Sequence, residues 1–276
     1  MQMGRRTIFF VSDQTGVSAE TMGHSLLTQF DGLEFRQVTL PFISTVDKAE
    51  EAVRKINATA VADGQRPIVF STLVREDLRK VLLGGNALLL DFFAAFLGSL
   101  ESELSVKSSP REGRAHGMQD LQAYATRIDA TNFALAADDG AVTADYARAD
   151  VILIGVSRSG KTPTCIYMAM QYGIFAANYP LTEDDFEGKQ LPAPLRTQTA
   201  KLFGLTIAPS RLTQIRNERR PGSRYASLSQ CEYEVRSAEG LFQRFGIPQQ
   251  NTTECSIEEI ASRVIDRKGI ERRLRP

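Results

Sequence analysis

Residues 155–162 read Gly155-Val-Ser-Arg-Ser-Gly-Lys-Thr162, which is GxxxxGK followed by Ser or Thr. Ahead of it runs Asp150-Val-Ile-Leu-Ile154, a short β-branched apolar run that reads as a buried strand. Behind it runs Thr162-Pro-Thr-Cys-Ile-Tyr-Met-Ala-Met-Gln-Tyr172, a helical pattern closed by Gly173. Strand, glycine loop and helix form the setting in which this pattern cradles phosphate. Gly155 and Gly160 allow turns that a side chain would forbid. The N–H groups of Gly155, Val156, Ser157, Arg158, Ser159, Gly160, Lys161 and Thr162 are then expected to face a phosphate, with a helix N-terminus behind them. Lys161 supplies a point charge to the terminal phosphates, and the Thr162 hydroxyl is the candidate ligand of Mg²⁺. The plainer alternative is a glycine turn with an exposed lysine. Pro163 is tolerated in the helix's first turn but removes one donor that could face a phosphate.

The rest of the chain sets bounds. Its 276 residues suggest one large or two modest domains. Lys+Arg and Asp+Glu both number 33, so the net charge is zero, which argues against bulk binding to nucleic acid or anionic membrane. Cys165, Cys231 and Cys255 have no CxxC spacing and suggest a reducing compartment without structural zinc. Cys165 falls on the apolar face of its helix and reads as core packing. The apolar run at the start is too short for a signal peptide, and Asp91 interrupts Ala87–Leu100. A cytoplasmic protein with no membrane span is expected, in which the sequons at Asn57 and Asn251 are chance matches.

Strand-like and helix-like segments alternate from the N-terminus. Strands are expected at Thr7–Val11, Phe35–Leu40, Pro67–Ser71 and Ala87–Asp91. Helices are expected at Ser18–Phe30, Val46–Ala62, Glu76–Leu83 and Phe92–Leu104. Such alternation implies a mostly parallel sheet covered by helices on both faces. Val106–Met118 is polar and rich in Gly, Ser and Pro, and reads as a linker or loop. A helix is expected over Asp120–Ala137, then a turn at Asp138-Asp-Gly140. After the glycine-loop helix come a strand at Ile174–Tyr179, an acidic loop at Thr182–Gly188 and a strand at Leu202–Ile207. A basic helix capped by Ser210 follows over Ser210–Arg219, then a helix at Glu232–Phe245. A capping box at Ser256-Ile-Glu-Glu259 opens a last helix running to about Val264. The fold class is therefore α/β: an N-terminal parallel-sheet domain, residues 1–105, and a C-terminal P-loop nucleotide kinase-like domain, residues 106–276.

Several blocks together resemble one family. They are Val11-Ser-Asp-Gln-Thr-Gly-Val-Ser-Ala-Glu20, Arg127-Ile-Asp-Ala, Phe133-Ala-Leu, Asp138-Asp-Gly, the long block Ala149–Thr164, Ala176-Ala-Asn-Tyr-Pro-Leu181, Gly204-Leu-Thr-Ile207 and Ser256–Ala261. The chain resembles, over nearly its whole length, the bifunctional serine/threonine kinases and pyrophosphorylases that regulate phosphoenolpyruvate synthase and pyruvate, phosphate dikinase. The block around the glycine loop is specific; the helix-cap block is not. That family's loop commonly reads Ser-Arg-Thr-Ser-Lys-Thr-Pro, and here Ser159-Gly160 fills the Thr-Ser pair. The length and the Ile-Gly-Val-Ser-Arg wording look more like the synthase branch. The resemblance implies phosphorylation of a target threonine with ADP, which inactivates the target. It also implies reversal by phosphorolysis, in which inorganic phosphate removes the phosphoryl group and pyrophosphate leaves. Residues alone suggest only a nucleoside-phosphate phosphotransferase. The dikinase as target, a small-molecule kinase and a nucleotide-gated binding protein remain alternatives, and the N-terminal domain is expected to bind the target or to pair subunits as a homodimer.

Other residues carry two readings each. Asp13, in Ser12-Asp-Gln-Thr-Gly16, ends the first strand before a helix, the edge where ligands of open α/β sheets bind. It is the candidate base for the threonine proton, or a Mg²⁺ partner, or simply a turn residue. Thr15 and Gly16 suggest a second anion nest. Asp91 ends an apolar strand in the Walker B manner, or caps a helix. Asp138 and Asp139 read as a turn, with Mg²⁺ as the alternative. His116, beside Arg111 and Arg114, is either solvated or in contact with phosphate or target; His24 reads as structural. Arg211, Arg216, Arg219, Arg220 and Arg224 form either a solvated basic helix or a lid that sets an arginine on the transferring phosphoryl group.

Overall fold

The structure, a computed structural model, describes residues 6–109, 121–141, 143–188 and 190–274. The chain divides into two compact units, Met1–Gly117 and Met118–Pro276. Each is built on one four-stranded parallel sheet.

In the N-terminal unit, β1 (Arg6–Val11), β2 (Phe35–Leu40), β3 (Ile68–Ser71) and β4 (Leu88–Asp91) alternate with α1 (Val17–Leu27), α2 (Val46–Ala62), α3 (Glu76–Leu83) and α4 (Phe92–Leu104). The central strand, Ile8-Phe-Phe-Val11, is buried throughout, as a strand with helices on both faces must be. Phe9, Val11 and Val69 face Ala49, Ala52 and Ile56 of α2 and Leu78 and Leu82 of α3. Ile8, Phe10 and Phe70 face Ala19 and Leu27 of α1.

The C-terminal unit contains α5 (Leu121–Ala136), β5 (Val151–Gly155), α6 (Lys161–Tyr172), β6 (Ala176–Pro180), α7 (Glu183–Glu187), β7 (Leu202–Thr206), α8 (Pro209–Arg219), α9 (Leu228–Arg244), β8 (Gln249–Asn251) and α10 (Ile257–Lys268). One face of its sheet packs Val151, Leu153, Phe203 and Leu205 against α6 and α10. The other packs Ile152, Ile154 and Leu202 against α8 and α9.

Both sheets have the same strand order, β2-β1-β3-β4 and β6-β5-β7-β8. In each, the chain leaves the first strand toward one edge and returns on the other side. The switch point, where ligands of doubly wound sheets bind, falls at the carboxyl ends of β1 and β3 in one unit and of β5 and β7 in the other.

Several local expectations needed correction. Ser210 is not the cap of α8: Pro209 starts that helix after Ala208, because its fixed φ already suits the first helical position. The acidic loop after β6 winds into α7, where Thr182 and Asp185 form a reciprocal capping box. At Ser256 the side chain accepts from Glu259 N at 3.2 Å, while the Glu259 carboxylate pairs with Arg263, and α10 runs on to Gly269. β8 was missed because Gln249-Gln-Asn251 has no apolar signal and is held in the sheet by backbone pairing with β7. α9 starts earlier than expected, capped by Ser227.

The close packing of β7 yields a stability prediction. A Cβ on Gly204 would lie 2.7 Å from the Phe242 ring of α9. Gly204→Ala is expected to lower unfolding stability by about 1–3 kcal/mol, the usual cost of overpacking, measured as a reduced denaturant midpoint with an unchanged slope.

Candidate active site

The glycine loop starts at the end of β5, where a Cβ on Gly155 would sit 2.3 Å from Leu205 O of the neighbouring strand. Only glycine fits that approach. Arg158 takes a left-handed conformation, φ +75°, and Gly160 another, φ +92°, as the N-cap of α6. No side chain caps α6, so its first-turn N–H groups have no side-chain partner.

Five of the loop's carbonyls are bonded within the protein. Gly155 O accepts from Leu181 N at 3.0 Å. Val156 O accepts from Lys161 Nζ at 2.9 Å, Ser157 O from the Arg216 guanidinium at 3.2 Å, and Ser159 O from Thr252 Oγ1 at 3.1 Å. Gly160 O accepts from Thr164 Oγ1 at 2.8 Å. Groups that would repel a phosphate are thereby occupied. Of the loop side chains, Arg158 is exposed and Ser157 Oγ pairs with Tyr225 OH at 3.0 Å. Ser159 Oγ is buried with no hydrogen-bond partner.

Lys161 is 4% exposed. Burial pushes its pKa down to about 8, against the pull of the Asp139 and Asp138 carboxylates, which favour the charged form. Asp138 is the residue the sequence weighed as a turn or a Mg²⁺ partner. It does lie in a helical turn, and its Oδ1 accepts from Thr162 Oγ1 at 2.7 Å and from Asn178 Nδ2 at 2.5 Å. Asn178 Oδ1 in turn accepts from Asp139 N at 3.0 Å. Asn178, fully buried in β6, therefore orients both the carboxylate and the turn that carries it. Its role was not read from the sequence, although a polar residue inside the buried run Ala176-Ala-Asn178 is the available signal.

Arg216 is not part of a solvated face. It is fully buried, ion-paired with Glu234 Oε2 at 2.6 Å, bonded to Tyr225 O at 3.0 Å and stacked 4.1 Å above the Tyr225 ring. Gln230 Nε2 donates to Glu234 Oε1 at 2.9 Å and to Glu183 of α7 at 2.5 Å. Arg216 thus braces the loop from behind. Arg211, Arg219, Arg220 and Arg224 are exposed. Nothing in the sequence distinguished Arg216 from these four, and Thr252 gave no signal either. Cys165 is buried in the core, as expected.

Asp13 belongs to the N-terminal unit. It is 5% exposed, and its Oδ2 accepts from Val74 N at 3.4 Å across the switch point. Burial raises its pKa above the usual carboxylate value, against backbone N–H groups that include those of Val74 and Gln14. Asp91 is a helix cap, accepting from Ala94 N at 2.9 Å, with Arg79 Nε 3.9 Å away. His24 lies exposed on α1. Arg111, Arg114 and His116 lie outside the described residues. Among the described residues no group of three or more His, Cys, Asp or Glu could hold a metal ion, and no helix is long and apolar enough to cross a membrane.

The loop's surroundings yield three predictions. A diphosphate bound at the loop would hold the proton on Lys161, so affinity is expected to be level below pH about 8 and to fall above it, with proton uptake on binding in that upper range. Calorimetry in buffers of different ionisation enthalpy measures both. The same depressed pKa makes this group's contribution to stability rise with pH from about 8 toward 10.5, because the unfolded chain holds that proton more tightly. Arg216→Ala would leave Glu234 without its cation and Ser157 O without its donor. It is expected to cost about 3–5 kcal/mol in chemical denaturation and to weaken phosphate binding, with Arg216→Lys recovering only part of either.

The family model described as Kinase/pyrophosphorylase matches residues 8–265. The chain is 55% identical over 271 residues to a Pseudomonas putida (strain W619) protein named "Putative phosphoenolpyruvate synthase regulatory protein", covering 98% of this chain and 100% of that relative. Proteins of the same name from Ectopseudomonas mendocina (55%, 98% and 100% covered) and Alcanivorax borkumensis (54%, 98% and 99% covered) are similar over the same span. On this family-model match and these full-length similarities, the chain belongs to the kinase/pyrophosphorylase family, a phosphotransferase type of enzyme.

Proposed function

We propose that the protein phosphorylates a threonine of phosphoenolpyruvate synthase using ADP, which inactivates the synthase, and reverses this by phosphate-dependent phosphorolysis. In the forward direction the threonine oxygen bonds the β-phosphorus of ADP, the bridging P–O bond breaks, and AMP leaves. In reverse, an oxygen of inorganic phosphate bonds the phosphothreonine phosphorus, the threonine O–P bond breaks, the threonine oxygen takes up a proton, and pyrophosphate is released. The observation that carries this reading is the glycine loop with its carbonyls turned inward beside a buried Lys161. The target is supported by the names of relatives more than half identical over their full length.

Phosphoryl transfer needs positioning and charge neutralisation more than covalent help from the protein. The N–H groups of Gly155–Thr162 would hold the phosphates, and Lys161 would neutralise charge on the transferring group. The hard oxygen donors Thr162 Oγ1 and Asp138 Oδ1, 2.7 Å apart beside the loop, fit Mg²⁺, which takes one or two protein ligands and completes its shell with phosphate and water. When bound, Mg²⁺ neutralises phosphate charge and fixes phosphate orientation. Asn178 keeps the Asp138 carboxylate facing Thr162. Asp13 is the proposed base, since a carboxyl whose pKa is raised takes a proton more readily near neutral pH. The N-terminal unit is proposed to engage the synthase.

The test is to incubate the protein and Mg²⁺ with phosphoenolpyruvate synthase, with and without prior phosphorylation of the synthase's catalytic histidine, in parallel with ADP and ATP. Phosphothreonine would be mapped by mass spectrometry and synthase activity assayed. Threonine phosphorylation with ADP, lost in Lys161→Ala and reversed by phosphate with release of pyrophosphate, is the expected result. Nucleotide binding without modification of the synthase under any condition would overturn the reading.

A further inference from the structure

The two units repeat one connection. β1 ends at Val11 and α1 starts at Val17; β5 ends at Gly155 and α6 starts at Lys161. Residues 12–16 and 156–160 are therefore loops of equal length at equivalent switch points. Each closes on a left-handed glycine that caps its helix without a side-chain cap: Gly16 at φ +89°, ψ −8°, and Gly160 at φ +92°, ψ +8°. The alignment sets Asp13 opposite Ser157, Val17 opposite Lys161 and Ser18 opposite Thr162.

A second observation points to a ligand there. Thr72 is 7% exposed and its Oγ1 has no hydrogen-bond partner. Thr72 N donates to Val11 O at 3.0 Å, continuing the parallel ladder of β3. By strand alternation its side chain lies on the same face as Phe70, two residues or about 6.6 Å further toward the strands' carboxyl ends. That is the α1 face, because α1 sets Gly23 against Phe10 and Phe70. From Gly23 back to Val17 is six residues, or about 9 Å in the same direction. The Thr72 side chain with its orphaned hydroxyl therefore lies on the α1 face, toward the level of that helix's first turn. The first-turn carboxylate Glu20 is taken up by Thr39 of β2, on the other side of β1 from Thr72. Lys48 brings positive charge to the rim: its Nζ donates to Phe42 O at 3.0 Å, and Phe42 N donates to Gln14 O at 2.9 Å.

We propose that residues 12–17, with Thr72, form a second oxyanion site, selective for inorganic phosphate over sulfate. The helix N-terminus and the Thr72 hydroxyl donate to the anion. With Val17 where the P-loop has lysine, and the buried carboxylate of Asp13 in the loop, a fully deprotonated oxyanion is repelled. Hydrogen phosphate brings an O–H that donates to Asp13; sulfate at neutral pH has none. The site is read from the N-terminal unit alone and does not depend on the proposed reaction.

The test uses the full chain carrying Lys161→Ala, so that the P-loop contributes little, titrated with potassium phosphate and potassium sulfate by calorimetry. Amide NMR follows Thr15, Gly16 and Val17. The expected result is saturable phosphate binding that shifts those amides, with sulfate neither binding nor competing. Adding Thr72→Val should weaken phosphate about tenfold or more, with the unfolding midpoint held or raised because only an unpartnered hydroxyl is lost. Adding Asp13→Asn should admit sulfate. Absence of phosphate binding, amide shifts confined to residues 155–162, or sulfate binding as well as phosphate before Asp13 is changed would each overturn the site. If Thr72→Val lowers the unfolding midpoint, the Asp13→Asn sulfate titration decides alone.

Discussion

The candidate site depends on one constraint: backbone carbonyls of the glycine loop are bonded to groups packed behind it. An uncommitted carbonyl oxygen in a phosphate cradle is a partial negative charge facing a full one. Here the carbonyls of Val156, Ser157 and Ser159 are claimed by Lys161, Arg216 and Thr252, which come from α6, α8 and the segment after β8. The claim on Ser157 is expensive to maintain, because it buries a guanidinium. Glu234, the face of Tyr225 and the carbonyl of Tyr225 offset that desolvation. The C-terminal sheet thus delivers β5 to the right place, but the conformation of the loop is held by helices packed behind it.

Charge near the loop is tuned by the same packing. Burial weakens the hold of Lys161 on its proton, and two carboxylates on the preceding turn strengthen it. Asp138 is kept in reach of Thr162 by Asn178, a side chain from the next strand. Lysine, threonine and carboxylate therefore form one connected set, and the acidic turn ahead of β5 belongs to the candidate site as much as the glycines do.

The N-terminal unit uses the same strand order and the same loop-to-helix connection with different side chains. Lysine is replaced by valine, and an aspartate stands in the loop. One backbone solution thereby presents two chemistries. A lysine-bearing loop suits a highly charged polyphosphate, while a loop with a carboxylate suits a ligand that can donate a proton.

Local sequence determined a good deal. The alternating strands and helices of the first hundred residues, the loop from Gly155 to Thr162 and its flanking strand and helix were all legible, because each depends on spacing and turn chemistry within a few residues. Asp91 as a cap and Cys165 as core were legible for the same reason. Tertiary structure decided the rest. Arg216 among five similar arginines, Thr252 in a polar run, Asn178 in a strand and Asp138 in a turn acquire their roles from partners distant in the chain, such as Thr162, 24 residues from Asp138, and Glu234, 18 residues from Arg216. The three polar residues of β8 became a strand only because β7 offered its edge. A short-range pattern can specify a phosphate loop; which side chains hold that loop open depends on how helices far apart in sequence pack around it.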